Sequence, residues 1–403
     1  MAPKKKPKIQ EHQVKGKKYL KNIISLLSSL RDHKDCPNRD LHYDEYVAYL
    51  LLYYYTPVIT SVRGLQQVSE FKSIKKKLKL PRFSLGSFSE AGNVFDPELL
   101  PPIIEKLVEH IPETETKNKR LQDIGLQLTL VDGTLLKALP KMVWALWQDE
   151  NHRAAKMHLE YDLLKAIPTG AKLTSANEYE ARVLKERIEK GKLYVMDRGY
   201  ADYTLIRDII DAKSSFIVRL ESSAVYEVLE ECSISKKNAE AGVQKDMIVK
   251  LGSRYAKQLH DKELRVVQIH VNNIETSSRP RNKSEAKNYR NNTGEYTMLL
   301  ATDQLEMDVE IISDLYRYRW QIELFFRWFK KILAADRLLS LSENGMTIVM
   351  YTALIASILI TLWTGHKATK RTFEMICFYF SGWVDDEELI AHIERLKPAE
   401  TAE

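Results

Sequence analysis

Tyr316-Arg317-Tyr318-Arg319-Trp320-Gln321-Ile322-Glu323-Leu324-Phe325-Phe326-Arg327-Trp328-Phe329-Lys330 is the most informative stretch of this chain. On a helix turning about 100° per residue, Tyr316, Arg319, Glu323 and Lys330 fall within a stripe about 60° wide. Leu324, Phe325 and Phe329 supply apolar surface away from it. A carboxylate with Arg one turn before it and Lys two turns after it is unusual on a solvent face. Beside a metal ion and a phosphodiester it is natural: Glu323 would bind the cation, and Arg319 and Lys330 would hold phosphate oxygens. An ion-pair ladder on an ordinary amphipathic helix has the same spacing, so the helix alone leaves both readings open.

Two further acids bear on the choice. Leu126, Leu128 and Leu130 alternate with polar residues and lead into Val131-Asp132-Gly133-Thr134, which reads as a strand running into a turn. Leu193-Tyr194-Val195-Met196-Asp197 is a short apolar strand ending in an acid, with Gly199 two residues on. Taken singly, each is an ordinary turn-forming Asp near a Gly. Together, Asp132, Asp197 and Glu323, on two strands and a helix, make the set that two-metal phosphoryl transfer requires, with two Mg²⁺ roughly 4 Å apart. Hard oxygen ligands select Mg²⁺ or Mn²⁺ over zinc.

Working outward, 126–220 reads as three strands, helix, strand, helix, strand, with the second and third strands at Lys141–Trp147 and Ala154–Asp162 around a polar turn. Ser175 and Glu178 have the spacing of a capping box opening a helix to about Lys190. This order suits an α/β fold with a ribonuclease-H-like catalytic core, a mixed sheet with flanking helices. A β-rich insertion at 221–300 interrupts it, with strands at Asp246–Leu251, Leu264–Val271 and Glu295–Thr302 and a polar, basic loop at 272–292. The expected domains begin with a disordered basic leader (1–18) and an N-terminal helical DNA-binding domain (19–120). The first segment of the core (121–220) follows, then the insertion (221–300), the second core segment with the Glu323 helix (301–365) and a C-terminal helical segment (366–403). One long helix is expected from Met307 to about Leu333.

Charge is placed unevenly. Residues 1–80 hold 17 Lys+Arg against 7 Asp+Glu, whereas the remainder holds 44 against 48. A basic N-terminal fifth suggests an arm that seeks a polyanion, although a lysine-rich tail can also serve solubility alone. Two short helices around the basic stretch Lys72–Lys79 are compatible with a helix-turn-helix reader or with generic packing. Three cysteines far apart argue against a disulfide framework and fit a reducing compartment, and no signal peptide is readable in the lysine-rich start. Met346–Trp363 has no charge and borders on spanning length, but its four hydroxyls favour a buried core helix over a membrane span. Lys156 and His158, with His152 nearby, and Arg198 beside Asp197 are weaker candidates for lining the site. For the first two a solvated strand face is the alternative.

The spacing Tyr316-x2-Arg319-x3-Glu323-x6-Lys330 resembles the Y-R-E-K signature of bacterial insertion-sequence DDE transposases of the insertion-sequence-four type. Val131-Asp132-Gly133-Thr134 and Val195-Met196-Asp197-Arg198-Gly199-Tyr200 are similar to that family's first and second aspartate strands, and the resemblance covers about residues 55–365. It implies cut-and-paste transposition: cleavage at transposon ends and strand transfer into target DNA by a homodimer on paired ends. Asp132, Asp197 and Glu323 would hold the metal ions, two Mg²⁺ with Mn²⁺ able to substitute. Tyr316, Arg319 and Lys330 would grip the phosphate backbone of the transposon end near the cut, and the partners would be double-stranded DNA at the terminal inverted repeats and at the target. No membrane is implied, and the location would be cytoplasmic and nucleoid-associated. Some relatives stack a flipped base on a tryptophan of the insertion, but none of the six tryptophans here lies in 221–300. An inactive transposase-derived DNA-binding protein, or a related nuclease without strand transfer, would share much of this pattern.

Overall fold

The computed structural model describes residues 23, 26–31, 40–113, 119–137, 141–147, 149–252, 258–271, 296–335, 337 and 339–396. The basic leader and the loop at 272–292 lie outside them. The Leu- and Tyr-rich run forms α1 (Tyr43–Tyr55), in which every residue is buried. Its N-terminus is closed by Glu45, whose carboxylate accepts the His42 backbone N–H at 2.9 Å and pairs with Arg31 at 2.7 Å. Ser61 caps α2 (Val62–Ser69) and Ser84 caps α3 (Leu85–Val94), each accepting a backbone N–H of the first turn. Between them a π-helical turn, Ile74–Leu78, buries Ile74 and Leu78 and leaves Lys75, Lys76 and Lys77 exposed. Two prolines start α4 (Pro101–Glu109), where a missing N–H costs nothing.

The sheet elements follow: β1 (Gln127–Lys137), β2 (Leu146–Trp147), β3 (Asp149–Asp162), β4 (Ile167–Ser175), α5 (Glu180–Lys185), β5 (Lys192–Met196), α6 (Tyr203–Asp211) and β6 (Ser215–Leu220). Next come β7 (Tyr226–Glu231), α7 (Lys236–Glu240), β8 (Val243–Leu251), β9 (Leu264–Val271) and β10 (Tyr296–Thr302). They form one ten-stranded mixed sheet in the order β2-β3-β1-β5-β6-β10-β9-β8-β7, with β4 on the outer side of β3. β1, β5 and β6 run parallel and the other pairs antiparallel. Because β10 pairs with β6, the β-rich stretch continues the same sheet. The chain is thus mixed α/β, completed by α8 (Val309–Tyr318), α9 (Trp320–Lys331), α10 (Glu343–Thr364), α11 (Lys370–Ser381) and α12 (Asp386–Arg395).

Several local expectations are corrected. Asp132-Gly133-Thr134 is no turn, because β3 offers an antiparallel partner that carries β1 on to Lys137. Only Leu146–Trp147 of the expected second strand is extended, while β3 reaches back to Asp149 through residues expected to turn. Ser175 ends β4 instead of capping a helix, and α5 begins five residues later. β4 has no expected counterpart, since Pro168 and Gly170 argue against a strand. A register shift opposite Glu160 and Tyr161 accommodates the proline, and an added Cβ at Gly170 would meet Arg187 Nη2 at 2.6 Å. The acidic β7 is likewise additional. The long helix from Met307 is two helices, α8 and α9, parted at Arg319.

α10 is the apolar segment of spanning length, and 94% of its apolar window is buried inside the protein. Tyr54 and Tyr55 of α1 donate their hydroxyls to the carbonyls of Val349 (3.1 Å) and Ala356 (2.7 Å). Thr352 and Ser357 satisfy theirs on carbonyls of the preceding turn. Helices from both ends of the chain therefore share one core with the front of the sheet, while α5 and α6 close a second core behind it.

Candidate active site

The parallel register aligns Val131 with Met196 and Met196 with Val218. One residue further on, Asp132, Asp197 and Arg219 come level at the ends of three adjacent strands. Leu130, Val195 and Ile217, two residues before each, pack into the core beneath α8 and α9, so strand alternation turns these three side chains toward the same front face. α8 and α9 cross that face. At their junction the backbone tightens: the Arg319 N–H reaches Tyr316 O at 3.1 Å, and the Ile322 N–H reaches Arg319 O at 3.1 Å.

The four signature residues converge on the strand ends. The Tyr316 hydroxyl donates to Asp197 Oδ1 at 3.0 Å. Arg319 bridges two acids, with Nη2 2.7 Å from Glu323 Oε1 and Nη1 3.4 Å from Asp132 Oδ2. Its Nε is buried and has no partner, leaving a donor aimed from a charged group in need of an acceptor. Lys330 Nζ donates to Thr134 Oγ1 at 2.8 Å, two residues beyond Asp132. These contacts place Asp132, Asp197, Glu323, Tyr316, Arg319 and Lys330 next to one another at the strand ends.

Electrostatics separate the two aspartates. Burial pushes the Asp132 carboxyl up to about 6, despite the Arg319 charge and the Gly133 N–H at 2.8 Å. For Asp197 burial acts the same way but is outweighed by the Arg198 backbone N–H, Arg319 and Tyr316, which hold it below the usual carboxylate range. Burial and the Asp197 charge push the Tyr316 hydroxyl up to about 12, so it remains a donor. Among the described residues no three His, Cys, Asp or Glu side chains are clustered closely enough to grip a metal ion as they stand. Arg319 stands between Asp132 and Glu323 instead. The donor set is all carboxylate oxygen, and a single guanidinium leaves Asp132 under-compensated, so the residues suit a hard divalent cation.

The weaker candidates fall elsewhere. Lys156 and His158 pair across from Leu135 and Gly133, hence on the back face, away from Asp132. His158 is buried, hydrogen-bonded to Thr174 at 2.9 Å, and lowered to about 4 by burial and by Lys156, Lys172 and Arg187. The His152 side chain lies outside the described residues. Arg198 sits exposed on the rim, paired with Glu221 at 3.2 Å. Arg219 is an addition to the expected set, although a lone Arg in the apolar run Phe216–Leu220 is a readable signal. Its charge lowers the carboxyl of Asp197.

Residues 124–359 match the family model described as the transposase DDE domain, a span that includes all three acids. A putative transposase, y4zB, of Sinorhizobium fredii is 27% identical over 237 residues, covering 58% of this chain and 60% of that protein. A probable transposase for insertion sequence element IS5377 of Geobacillus stearothermophilus is 22% identical over 75% of this chain and 74% of its own length. A putative transposase for insertion sequence element IS4SA of Synechocystis sp. is 24% identical over 76% and 80%. A solved piggyBac transposase synaptic complex with hairpin DNA aligns with 96% of this chain and 82% of that one. Its TM-score of 0.40 and 11% identity make it too distant to inform the site. With both aspartate strands and the Glu323 helix inside the matched span, which takes in more than half of the residues, this chain belongs to the transposase DDE-domain family.

Proposed function

We propose that this chain performs cut-and-paste transposition, cleaving DNA at the inverted repeats of its element and joining the freed 3′-hydroxyl to target DNA. The observation that carries this reading is the convergence of Asp132, Asp197 and Glu323 on one face, laced together by Arg319 and Tyr316. Membership of the family implies dependence on a divalent metal. The proposal is two Mg²⁺, replaceable by Mn²⁺, held by the three acids. Bound there, the ions would supply charge stabilisation and activation of the attacking oxygen.

The chain's own groups have separable tasks. Tyr316 and the Arg198 N–H keep Asp197 ionised and fixed. Arg319, through its unpartnered Nε, offers a phosphate oxygen a charge-assisted hydrogen bond, and exchanging its carboxylates for phosphate would release Asp132 and Glu323. Lys330 and Arg219 flank the strand ends as cations for the backbone on either side of the cut. Exposed Lys72, Lys75, Lys76, Lys77 and Lys79 support contact between the N-terminal helices and the repeats. A ribonuclease-H-like core of the insertion-sequence-four type, a separate N-terminal DNA-binding domain, a homodimer on paired ends and a nucleoid-associated cytoplasmic location belong to the same proposal.

The test is a plasmid carrying the element's repeats, incubated with purified protein and Mg²⁺ or EDTA. Mg²⁺-dependent release and reinsertion of the segment, lost in Glu323→Ala, is the expected result. Cutting without joining would leave a nuclease, and binding without cutting a DNA-binding relic.

A further inference from the structure

Main-chain pairing between β1 and β5 stops at Val131 and Met196, one residue short of the two aspartates. Past that point β1 stays with β3, whereas the chain after Asp197 turns away through Arg198–Tyr200. No ladder hydrogen bond therefore fixes the separation of Asp132 from Asp197. One side chain does span the divergence. Glu180, the first residue of α5, lies on the back face with its carboxylate against β1 and the turn that follows β5: an added Cβ at Gly133 would meet its Oε1 at 2.6 Å, and one at Gly199 would meet its Oε2 at 3.0 Å. Neither glycine has a positive φ. Their lack of a side chain makes room for this carboxylate instead of permitting a turn. Lys156 Nζ, 3.5 Å from Glu180 Oε1 and 3.2 Å from the Glu178 carbonyl, anchors the group from β3. Lys156 and Glu180 are both mostly buried, at 17% and 25% side-chain exposure, so the pair is shielded from competing water.

We infer that Glu180 is a positioning residue of the active site, a wedge that holds the ends of β1 and β5 at the separation Asp132 and Asp197 need to share a divalent cation. Lys156, set on the back face and away from the acids, acts through it. This rests on the metal-dependent reading above and extends it to a fourth acid that does not itself face the substrate.

The experiment compares the full-length protein with Glu180→Gln, which keeps the shape, and Gly133→Ala, which displaces the carboxylate. Mn²⁺ affinity is read by electron paramagnetic resonance of the free ion, beside end-cleavage kinetics and thermal unfolding. Both variants should bind Mn²⁺ about 10–100-fold more weakly and raise the Mg²⁺ needed for half-maximal cleavage, with KM for the DNA end unchanged. The double variant should be no worse than either single one, since both act on one contact. Parental Mn²⁺ affinity in Glu180→Gln overturns the inference, whether or not its melting temperature falls. If the parent protein binds Mn²⁺ but never cuts, the transposition reading fails while the affinity comparison still decides the role of Glu180. A parent that binds no Mn²⁺ overturns both.

Discussion

Glu160 and Asp132 are carboxylates on adjacent strands of the same sheet, facing opposite ways, and their surroundings differ in kind. On the back, Glu160 is 4% exposed and accepts from Arg187 Nε (2.8 Å), Arg187 Nη2 (2.8 Å) and Lys192 Nζ (2.9 Å). Burial would raise its carboxyl, but the two cations outweigh it and hold it below the usual range. On the front, Arg319 bridges Asp132 and Glu323 with one of its donors unused, and Asp132 is pushed up to about 6. A closed charge network holds the sheet together. An open one, with a buried donor unused and an acid held above its ordinary value, is suited to a cation and a phosphate.

The contrast can be broken first at its functional side. Replacing Asp132 or Asp197 with Ala should lower end cleavage by on the order of 10³-fold or more, with repeat binding and melting temperature nearly unchanged. A cleaving variant would remove that acid from the site. Glu160→Ala should do the opposite, costing about 3–5 kcal/mol in chemical denaturation by stranding Lys192 and Arg187. Because its folded carboxyl lies below the ordinary value of 4.5, the stability Glu160 contributes is present above that pH and is lost as pH falls through the lowered one. A pH titration of unfolding should therefore steepen at acid pH in the parent and flatten in Glu160→Gln. Lys330→Ala should weaken DNA binding about tenfold and reduce the salt slope by about one, measured by fluorescence anisotropy at several salt concentrations. Tyr316→Phe removes one hydrogen bond to Asp197 and should slow cleavage about fivefold in single-turnover kinetics.

Legibility from sequence follows the same divide. The front site is readable because spacing on a helix and acids at strand ends are local patterns, and the register then places them together. The back face is not. Glu180 sits beside Gly133 only through the path of α5, and Glu160 meets Arg187 and Lys192 only in the folded sheet. β4 escapes notice because Pro168 and Gly170 satisfy the rules for a loop while a register shift and a neighbouring guanidinium make them fit a strand. Asp132-Gly133 has the composition of a turn, yet its glycine answers to packing against Glu180. The missing information in each case is a long-range partner.

The bonds from Tyr54 to Val349 and from Tyr55 to Ala356 join residues 295 and 301 positions apart. During synthesis α1, buried on all sides in the folded protein, must wait for α10 to be made, which at roughly 5–20 residues per second takes about 15–60 s. Throughout that interval the side of this Leu- and Tyr-rich helix that α10 covers has no partner from α10. Messages broken before α10 would yield fragments in which α1 still meets Phe83, Phe88 and Phe95 but leaves its α10-facing side uncovered.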